Sequence, residues 1–245
     1  IELKNVCFDY PEFKNVLRNI SLTISSNDQI AIVGKNGSGK STLFKILCGL
    51  YYPKRGEVLI NDKPIEKYSI EEYRERTSVL FQDFLKYEGS LRENIKLGDI
   101  RRDSSDDNIN AALNKANVDF LCQEEKYSLD RILGNWFDNG SQLSGGQWQK
   151  IALARVYYKE ADIYLLDEPS SALDATAELK IFNSFFEVSK GKIAIYITHR
   201  VKIAKNATKI IVIDEGKIVG IGNHAQLIES CSVYNELYKQ EIKEY

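Results

Sequence analysis

One short stretch of the chain combines glycines, a lysine and a serine in a spacing suited to holding phosphate. It reads Gly34-Lys35-Asn36-Gly37-Ser38-Gly39-Lys40-Ser41 and is followed by Thr42. The glycines let backbone N–H groups turn toward an anion without Cβ clashes. Lys40 adds a charge for the β- and γ-phosphates, and Ser41 offers a hydroxyl to Mg²⁺. An ordinary glycine-rich turn is the alternative, but the apolar run before the loop and the helical spacing after it favour a nucleoside triphosphate site.

Two carboxylates end an apolar segment farther along the chain. Ile163–Leu166 is expected to be a buried strand, and Asp167 and Glu168 follow it directly. Because ligands collect at the carboxyl ends of such strands, we expect Asp167 to hold Mg²⁺ through water and Glu168 to point toward the γ-phosphate. An acidic pair facing solvent is the alternative, which the glycine loop makes weaker.

A second segment of serine and glycine precedes a helical stretch. Ser144 is expected to cap a helix that runs from Gln147 through Tyr158. Gly145 and Gly146 would let a phosphate approach the backbone. Since the chain already has a complete phosphate loop, a second anion site is redundant within one molecule.

The elements expected around these segments alternate strands with helices. Period-two alternation predicts antiparallel strands at the start of the chain, and a late hairpin is expected at Ile210–Ile221, with helix from Ala225 onward. Apolar strands alternating with helices predict an α/β fold with a mostly parallel sheet covered on both faces and an N-terminal antiparallel subdomain. A single domain is expected over residues 1–245. It would consist of a core, residues 1–84 and 156–245, and an inserted helical subdomain, residues 85–155.

Composition narrows the class of protein. The 245 residues are 43% hydrophobic, which is enough for a substantial core, and the formal net charge of −2 suggests no surface for a polyanion. There is no apolar run of about 18 residues and no signal peptide. The chain begins at Ile1 rather than Met, which suggests a piece of a longer polypeptide. The cysteines lack CxxC spacing, which favours reduced thiols over a metal site or disulfides. They are Cys7, Cys48, Cys122 and Cys231.

The segment Leu143-Ser144-Gly145-Gly146-Gln147, placed between the loop and the carboxylates, narrows the class to one family. In order and residue content, almost the whole chain resembles the nucleotide-binding domain of ATP-binding cassette (ABC) proteins. The resemblance implies a head-to-tail dimer around two MgATP, in which this segment of one chain completes the ATP site of the other. It also implies that Ser171–Asp174 contacts the partner chain.

The resemblance assigns roles to single side chains as well. Glu168 would be the general base for the attacking water, Gln82 would lie near Mg²⁺ and that water, and His199 would contact the γ-phosphate. Lys40 would join them in stabilising charge. Tyr10 would stack on adenine, with packing over a hairpin as the alternative. His224 lacks such a context and is expected to be a surface residue.

Two further segments resemble exporters. Ser90–Ile95 resembles the segment that receives the coupling helices of a membrane domain. Trp148–Arg155 resembles bacterial lantibiotic and peptide exporters, although Trp148 could simply pack against a helix. The implied function is ATP hydrolysis that drives export. In its most specific version, the hypothesis is that the exported substrate is a peptide. The membrane domain would be fused upstream of Ile1, and this soluble fragment would lie at the cytoplasmic face of the membrane.

Two other functions stay open. The first is a stand-alone ATPase subunit of an importer or efflux system. The second is a soluble ABC ATPase that works on nucleic acid, although the net charge of −2 and the lack of a coiled-coil insertion or a second cassette argue against a nucleic-acid partner.

Overall fold

Two units make up the part of the chain that the structure, a computed structural model, describes: residues 1–118, 120, 128–136 and 139–243. The first unit consists of Ile1–Thr77, Asp162–Glu168 and Gly191–Tyr245, and the second of Ser78–Ala161 and Pro169–Lys190. The cysteines within the described residues, Cys7, Cys48 and Cys231, are free thiols, and Cys122 lies outside those residues.

The strands, in chain order, are β1 (Glu2–Phe8), β2 (Leu17–Thr23), β3 (Gln29–Val33), β4 (Arg55–Ile60), β5 (Lys63–Pro64), β6 (Thr77–Leu80), β7 (Ile163–Asp167), β8 (Ile193–Ile197), β9 (Lys209–Asp214) and β10 (Lys217–Gly222). The helices are α1 (Lys40–Leu47), α2 (Ile70–Arg76), α3 (Leu91–Lys96), α4 (Asp106–Lys115), α5 (Gly145–Tyr158), α6 (Ala175–Val188), α7 (Val201–Ala204), α8 (His224–Ser230) and α9 (Ser232–Lys243).

An antiparallel sheet in the order β2-β1-β4-β5 occupies the start of the first unit. In β2, Leu17, Ile20 and Leu22 are buried while the residues between them are exposed, which is the alternation expected for a sheet with one face in the core. The predicted N-terminal antiparallel strands are therefore confirmed. Asn61 and Asp62 make the β4–β5 turn with φ of 47° and 61°, a conformation that Asn and Asp tolerate in tight hairpins.

The first unit contributes five strands to a second sheet, in the order β10-β9-β3-β8-β7. Strands β9, β3, β8 and β7 run parallel, and β10 pairs antiparallel with β9 through the predicted hairpin. The parallel strands are almost continuously buried, which explains why they are apolar runs rather than alternating ones. The predicted α/β fold with a mostly parallel sheet is confirmed.

Helices dominate the second unit, where α5 packs against α3 and α4 and α4 also contacts α6. Helix α5 buries Trp148, Ile151 and Leu153, so Trp148 is a packing residue of this helix. The predicted helix start at Gln147 is wrong by two residues, because α5 begins at Gly145. A reciprocal capping box between Ser144 and Gln147 fixes that start despite the low helix propensity of glycine.

The C-terminal stretch is helical from His224, but it breaks at Cys231 into α8 and α9. His224 is half-buried at the surface, where its ring has two aromatic partners. Its Nδ1 lies 2.9 Å from the hydroxyl of the buried Tyr234, its ring meets Tyr238 edge-on, and burial lowers its pKa. Within the described residues, no helix has both the length and the apolar character that crossing a bilayer requires.

Candidate functional site

The glycine loop joins the end of β3 to the start of α1 in the first unit. A Cβ on Gly34 would clash with the carbonyl oxygen of Ile213, so the loop can pass β9 only without a side chain there. Gly39 occupies the N-cap position of α1 and has no side chain that could satisfy the first N–H groups. No acidic residue lies in the first turn of α1. The start of α1 therefore has N–H groups that neither a capping side chain nor a nearby carboxylate satisfies, which suits an anion.

Lys40 places its ammonium inside this loop. The residue is buried, and its Nζ donates hydrogen bonds to the carbonyl oxygens of Gly34 and Lys35 at 2.8 and 2.9 Å. Burial lowers the pKa of Lys40, while the nearby carboxylates of Glu168 and Asp167 act in the opposite direction. A buried cation held mostly by carbonyls is a strong partner for phosphate oxygens.

The other residues of the glycine loop differ in how exposed their hydrogen-bonding groups are. The Ser38 hydroxyl is buried and has no hydrogen-bond partner within the described residues, while its backbone carbonyl accepts from Gly216 N–H at 2.9 Å. Asn36, Gly37 and Ser41 are exposed. An unsatisfied buried hydroxyl beside uncapped N–H groups leaves donors for phosphate oxygens, so these residues fit a triphosphate. Thr42 is buried beneath them.

The two strand-end carboxylates have different surroundings. Asp167 is the last residue of β7 and is buried. Glu168 follows with φ of 49°, in the left-handed region that non-glycine residues seldom adopt, and its N–H donates to Ile197 at 3.2 Å. Its Oε1 lies 2.5 Å from Nε2 of His199. The structure therefore brings together a carboxylate and an imidazole that are 31 positions apart by their residue numbers.

A cleft of about 480 Å³ opens beside the loop in the first unit. Tyr10 lines it, with its ring edge-on to Phe8 and Tyr51 at 5.1 and 5.8 Å and its hydroxyl 3.3 Å from Oγ1 of Thr42. The ring thus packs in an aromatic cluster and also faces the cleft. Its stacking on adenine stays a prediction.

Sequence reasoning missed part of the cleft lining, including Phe13, Arg18 and Glu215. Phe13 is 65% exposed, which is unusual for so large an apolar side chain. Glu215 reaches the cleft because the β9–β10 turn is tied to the loop through Gly216. No local pattern signals these positions, since only the folded sheet brings them to the loop.

The serine and glycine segment lies in the second unit, at the start of α5. Ser144 Oγ accepts from Gln147 N–H at 3.2 Å, and Gln147 Oε1 accepts from Ser144 N–H at 2.8 Å. A Cβ on Gly146 would lie 2.9 Å from the carbonyl oxygen of Ala172, whereas one on Gly145 would have ordinary contact at 3.7 Å. The turn is exposed at Ser144 and Gly145. It can therefore present backbone N–H groups to an anion outside the second unit.

Gln82 also belongs to the second unit. It lies in the turn after β6 and is exposed. Its assignment to Mg²⁺ and to the attacking water stays a prediction.

The fold and the first unit's site together define a phosphate-loop nucleoside triphosphatase domain. A parallel sheet carries the glycine loop and its buried Lys40. At the end of one strand of this sheet, Asp167 is followed by Glu168, whose carboxylate contacts the imidazole of His199. The loop supplies donors for phosphate, and Glu168 supplies a base within reach of a polar partner.

Comparison with known proteins identifies the family. The sequence matches the ABC transporter family over residues 17–171. The subtilin transport ATP-binding protein of Bacillus subtilis is 46% identical over 242 residues, which are 98% of this chain and 39% of that protein. The nisin transport ATP-binding protein of Lactococcus lactis subsp. lactis is 47% identical over 243 residues, 98% of this chain and 40% of that protein.

A solved structure agrees with these relatives. The structure of a bacterial Atm1-family ABC exporter with ATP bound superposes with a TM-score of 0.89 at 29% identity, covering 98% of this chain and 41% of that chain. The chain therefore belongs to the ABC transporter family and is an ATP-binding, ATP-hydrolysing domain of that family. The resemblance to exporter domains is confirmed. The chain spans only two fifths of the length of these relatives.

Proposed function

We propose that two copies of this domain bind two ATP molecules head to tail and hydrolyse them with the residues named above. The observation that carries the catalytic assignment is the 2.5 Å contact between Glu168 and His199. A general base needs a polar partner that holds it in one orientation. His199 supplies that partner, because Glu168 directly follows β7 and His199 comes two residues after the adjacent parallel strand β8.

The site residues of the first unit then have the following roles toward ATP. Lys40 binds the β- and γ-phosphate oxygens, together with the N–H groups from Gly34 to Thr42, and Tyr10 stacks on adenine. Glu168 accepts the proton of the attacking water at its carboxylate, while His199 fixes that carboxylate and contacts the γ-phosphate. These are positioning and charge-stabilising roles, as phosphoryl transfer requires.

Magnesium fits the oxygen donors at this site. Ser41 offers an exposed hydroxyl and Asp167 a strand-end carboxylate, both hard ligands of the kind that Mg²⁺ takes. When bound, Mg²⁺ would neutralise phosphate charge.

We assign the second anion-binding segment, the turn at the start of α5, to the ATP of the partner chain. The turn Ser144-Gly145-Gly146-Gln147 presents N–H groups at the exposed start of a 14-residue helix without acidic residues in its first turn. A chain with one complete phosphate loop has no internal use for it. We therefore place this turn on the γ-phosphate held by Lys40 of the other chain, with Ser171–Asp174 at the same interface.

The whole protein is proposed to be an exporter. Its relatives are about two and a half times as long as this chain, which leaves room for a membrane domain in the same polypeptide. That domain would dock on the second unit at Ser90–Ile95, and the ATP-binding domain would lie on the cytoplasmic face. The names of two relatives, for subtilin and nisin transport, favour a peptide substrate.

Mixing two inactive chains tests the shared site. Ser144→Arg leaves the loop of its own chain intact but places an arginine where the partner's γ-phosphate must lie, and Lys40→Ala removes the loop cation. In a mixed dimer, one composite site carries both lesions and the other carries neither. We expect hydrolysis to reappear in the mixture although each variant alone is inactive.

A cross-link distinguishes the two ways in which rescue could fail. Cysteines at Ser38 and Ser144 should cross-link between chains, and only with ATP, with the parent chain and its own cysteines as the background control. Failure of both rescue and cross-linking refutes the shared site. A cross-link without rescue shows that the site is shared but that both sites must be intact for turnover.

A further inference from the structure

Gln149 is a polar side chain enclosed in the second unit close to the partner-facing turn. It follows Gln147 by two positions on α5 and is 1% exposed. Burying an amide is costly unless its donor and acceptor are both satisfied. Its Oε1 accepts from Ala172 N–H at 3.2 Å, and its Nε2 donates to Ser171 Oγ at 3.4 Å. One side chain thus bonds two consecutive residues of a segment more than 20 positions away.

That segment, Ser170–Asp174, is anchored at both ends. At its start, the hydroxyl of Ser170 donates to the buried carboxylate of Glu178 on α6. At its end, Asp174 caps α6 by accepting from the N–H groups of Thr176 and Ala177, each at 2.9 Å. Held at both ends, the segment can shift little except as one piece with α6.

The first turn of α5 touches the same segment through its backbone. A Cβ on Gly146 would lie 2.9 Å from Ala172 O and from Leu173 Cδ2, so this turn sits directly on residues 172 and 173. The Ser144–Gln147 capping box makes that turn rigid. Packing and the Gln149 amide therefore join the partner-facing turn to the segment, and the amide supplies the directional part of that link.

The two ends of the link serve different ATP molecules under the proposed function, on which this inference rests. Ser170 follows Glu168 by two positions in the sequence, so the segment continues directly from the base of the chain's own ATP site. The Ser144 turn serves the ATP of the partner. We propose that Gln149 is a positioning residue that couples the two ATP sites, by transmitting movement of Ser170–Asp174 to the Ser144 turn.

Gln149→Met tests this coupling with little change in volume, because methionine has similar length and no hydrogen-bonding amide. The readout is the ATP dependence of hydrolysis. The Hill coefficient of the parent chain should lie between 1 and its limit of about 2 for two sites, and it should fall to roughly 1 in Gln149→Met. ATP affinity of the single chain, measured by calorimetry with the Ser144→Arg change added to block pairing, should stay the same because the loop is untouched.

Ser78→Ala is the matched control. It removes another buried hydrogen bond of the second unit, from Ser78 Oγ to Val156 O at 3.0 Å, which ends on α5 about two helical turns after Gln149. Its Hill coefficient should equal that of the parent chain. Gln149→Glu keeps the acceptor for Ala172 N–H and should retain part of the cooperativity. It also decides the question if Gln149→Met does not fold.

The outcomes separate the two proposals. Absence of both the rescue and the ATP-dependent cross-link between residues 38 and 144 refutes the shared site and the coupling with it. If either appears, the coupling alone is overturned by any of three results: a parent Hill coefficient of 1, an unchanged Hill coefficient in Gln149→Met, or an equal fall in Ser78→Ala. A fall confined to the Gln149 variants supports it.

Discussion

Replacing Glu168 with glutamine should stop hydrolysis while leaving ATP binding intact. Glutamine has the same size and can still meet His199, but its amide cannot accept the proton of the attacking water at neutral pH. The loop, Lys40 and Tyr10 are unchanged by the substitution. We therefore expect an ATP-bound dimer that persists because its bond is not cleaved.

The size of the effect follows from what the contact contributes. General-base catalysis accelerates a reaction by about 10²–10⁴-fold, so its loss should raise the barrier by roughly 2.7–5.5 kcal/mol. Because Glu168 and His199 touch at 2.5 Å, their substitutions should not add. His199→Ala introduced into Glu168→Gln should lower turnover much less than it does in the parent chain.

Three measurements check this prediction. Phosphate release at saturating MgATP gives turnover, calorimetry gives ATP affinity, and size exclusion with ATP shows the trapped dimer. Glu187→Gln is the matched control, since Glu187 pairs with Lys190 at an exposed position of α6 and should keep parental activity. Parental turnover in Glu168→Gln would remove this carboxylate from catalysis, and fully additive losses with His199→Ala would show that the two residues act independently.

Three further substitutions test other parts of the site. Lys40→Ala removes a cation that makes charged hydrogen bonds worth about 1.5–3 kcal/mol, so the Kd for ATP should rise by roughly 10- to 150-fold in calorimetry, and an unchanged Kd contradicts the loop assignment. Tyr10→Ala should weaken ATP binding by ~1–3 kcal/mol and narrow the preference for ATP over other triphosphates, whereas intact base discrimination would make this ring structural. Gly146→Ala should destabilise the fold by about 1–3 kcal/mol in thermal or denaturant unfolding, because the added Cβ overlaps Ala172 O, while Gly145→Ala should not; equal unfolding of both refutes the close approach.

Residue types and spacing predicted the parts of the site that are contiguous in sequence. The glycine loop and the Asp167–Glu168 pair each carry their chemistry within a few residues, and the apolar strands before them predict where they emerge. The cleft wall at Phe13, Arg18 and Glu215 could not be predicted in this way. Those residues reach the loop through sheet order and through the Gly216–Ser38 backbone bond, which are tertiary facts.

Local rules competed at two other places. The helix start is expected at Gln147, yet the Ser144–Gln147 capping box starts α5 at Gly145 despite the low helix propensity of glycine. The partner of His224, Tyr234, lies on the next helix and is identified only when α8 and α9 pack together. In both cases the deciding interaction is a side-chain hydrogen bond that the hydrophobic pattern does not encode.

Because the backbone of Glu168 is left-handed, the residue that stabilises the fold best at this position differs from the residue that activity requires. A non-glycine residue in that region costs of order 1–3 kcal/mol, and the φ of 49° means that the folded chain bears this cost at the proposed base. Glycine would remove the cost and the carboxylate together, so Glu168→Gly should unfold at a higher temperature and fail to hydrolyse ATP. Selection for thermostability alone would then favour substitutions that inactivate this domain, and a stabilised version must gain its stability elsewhere in the fold.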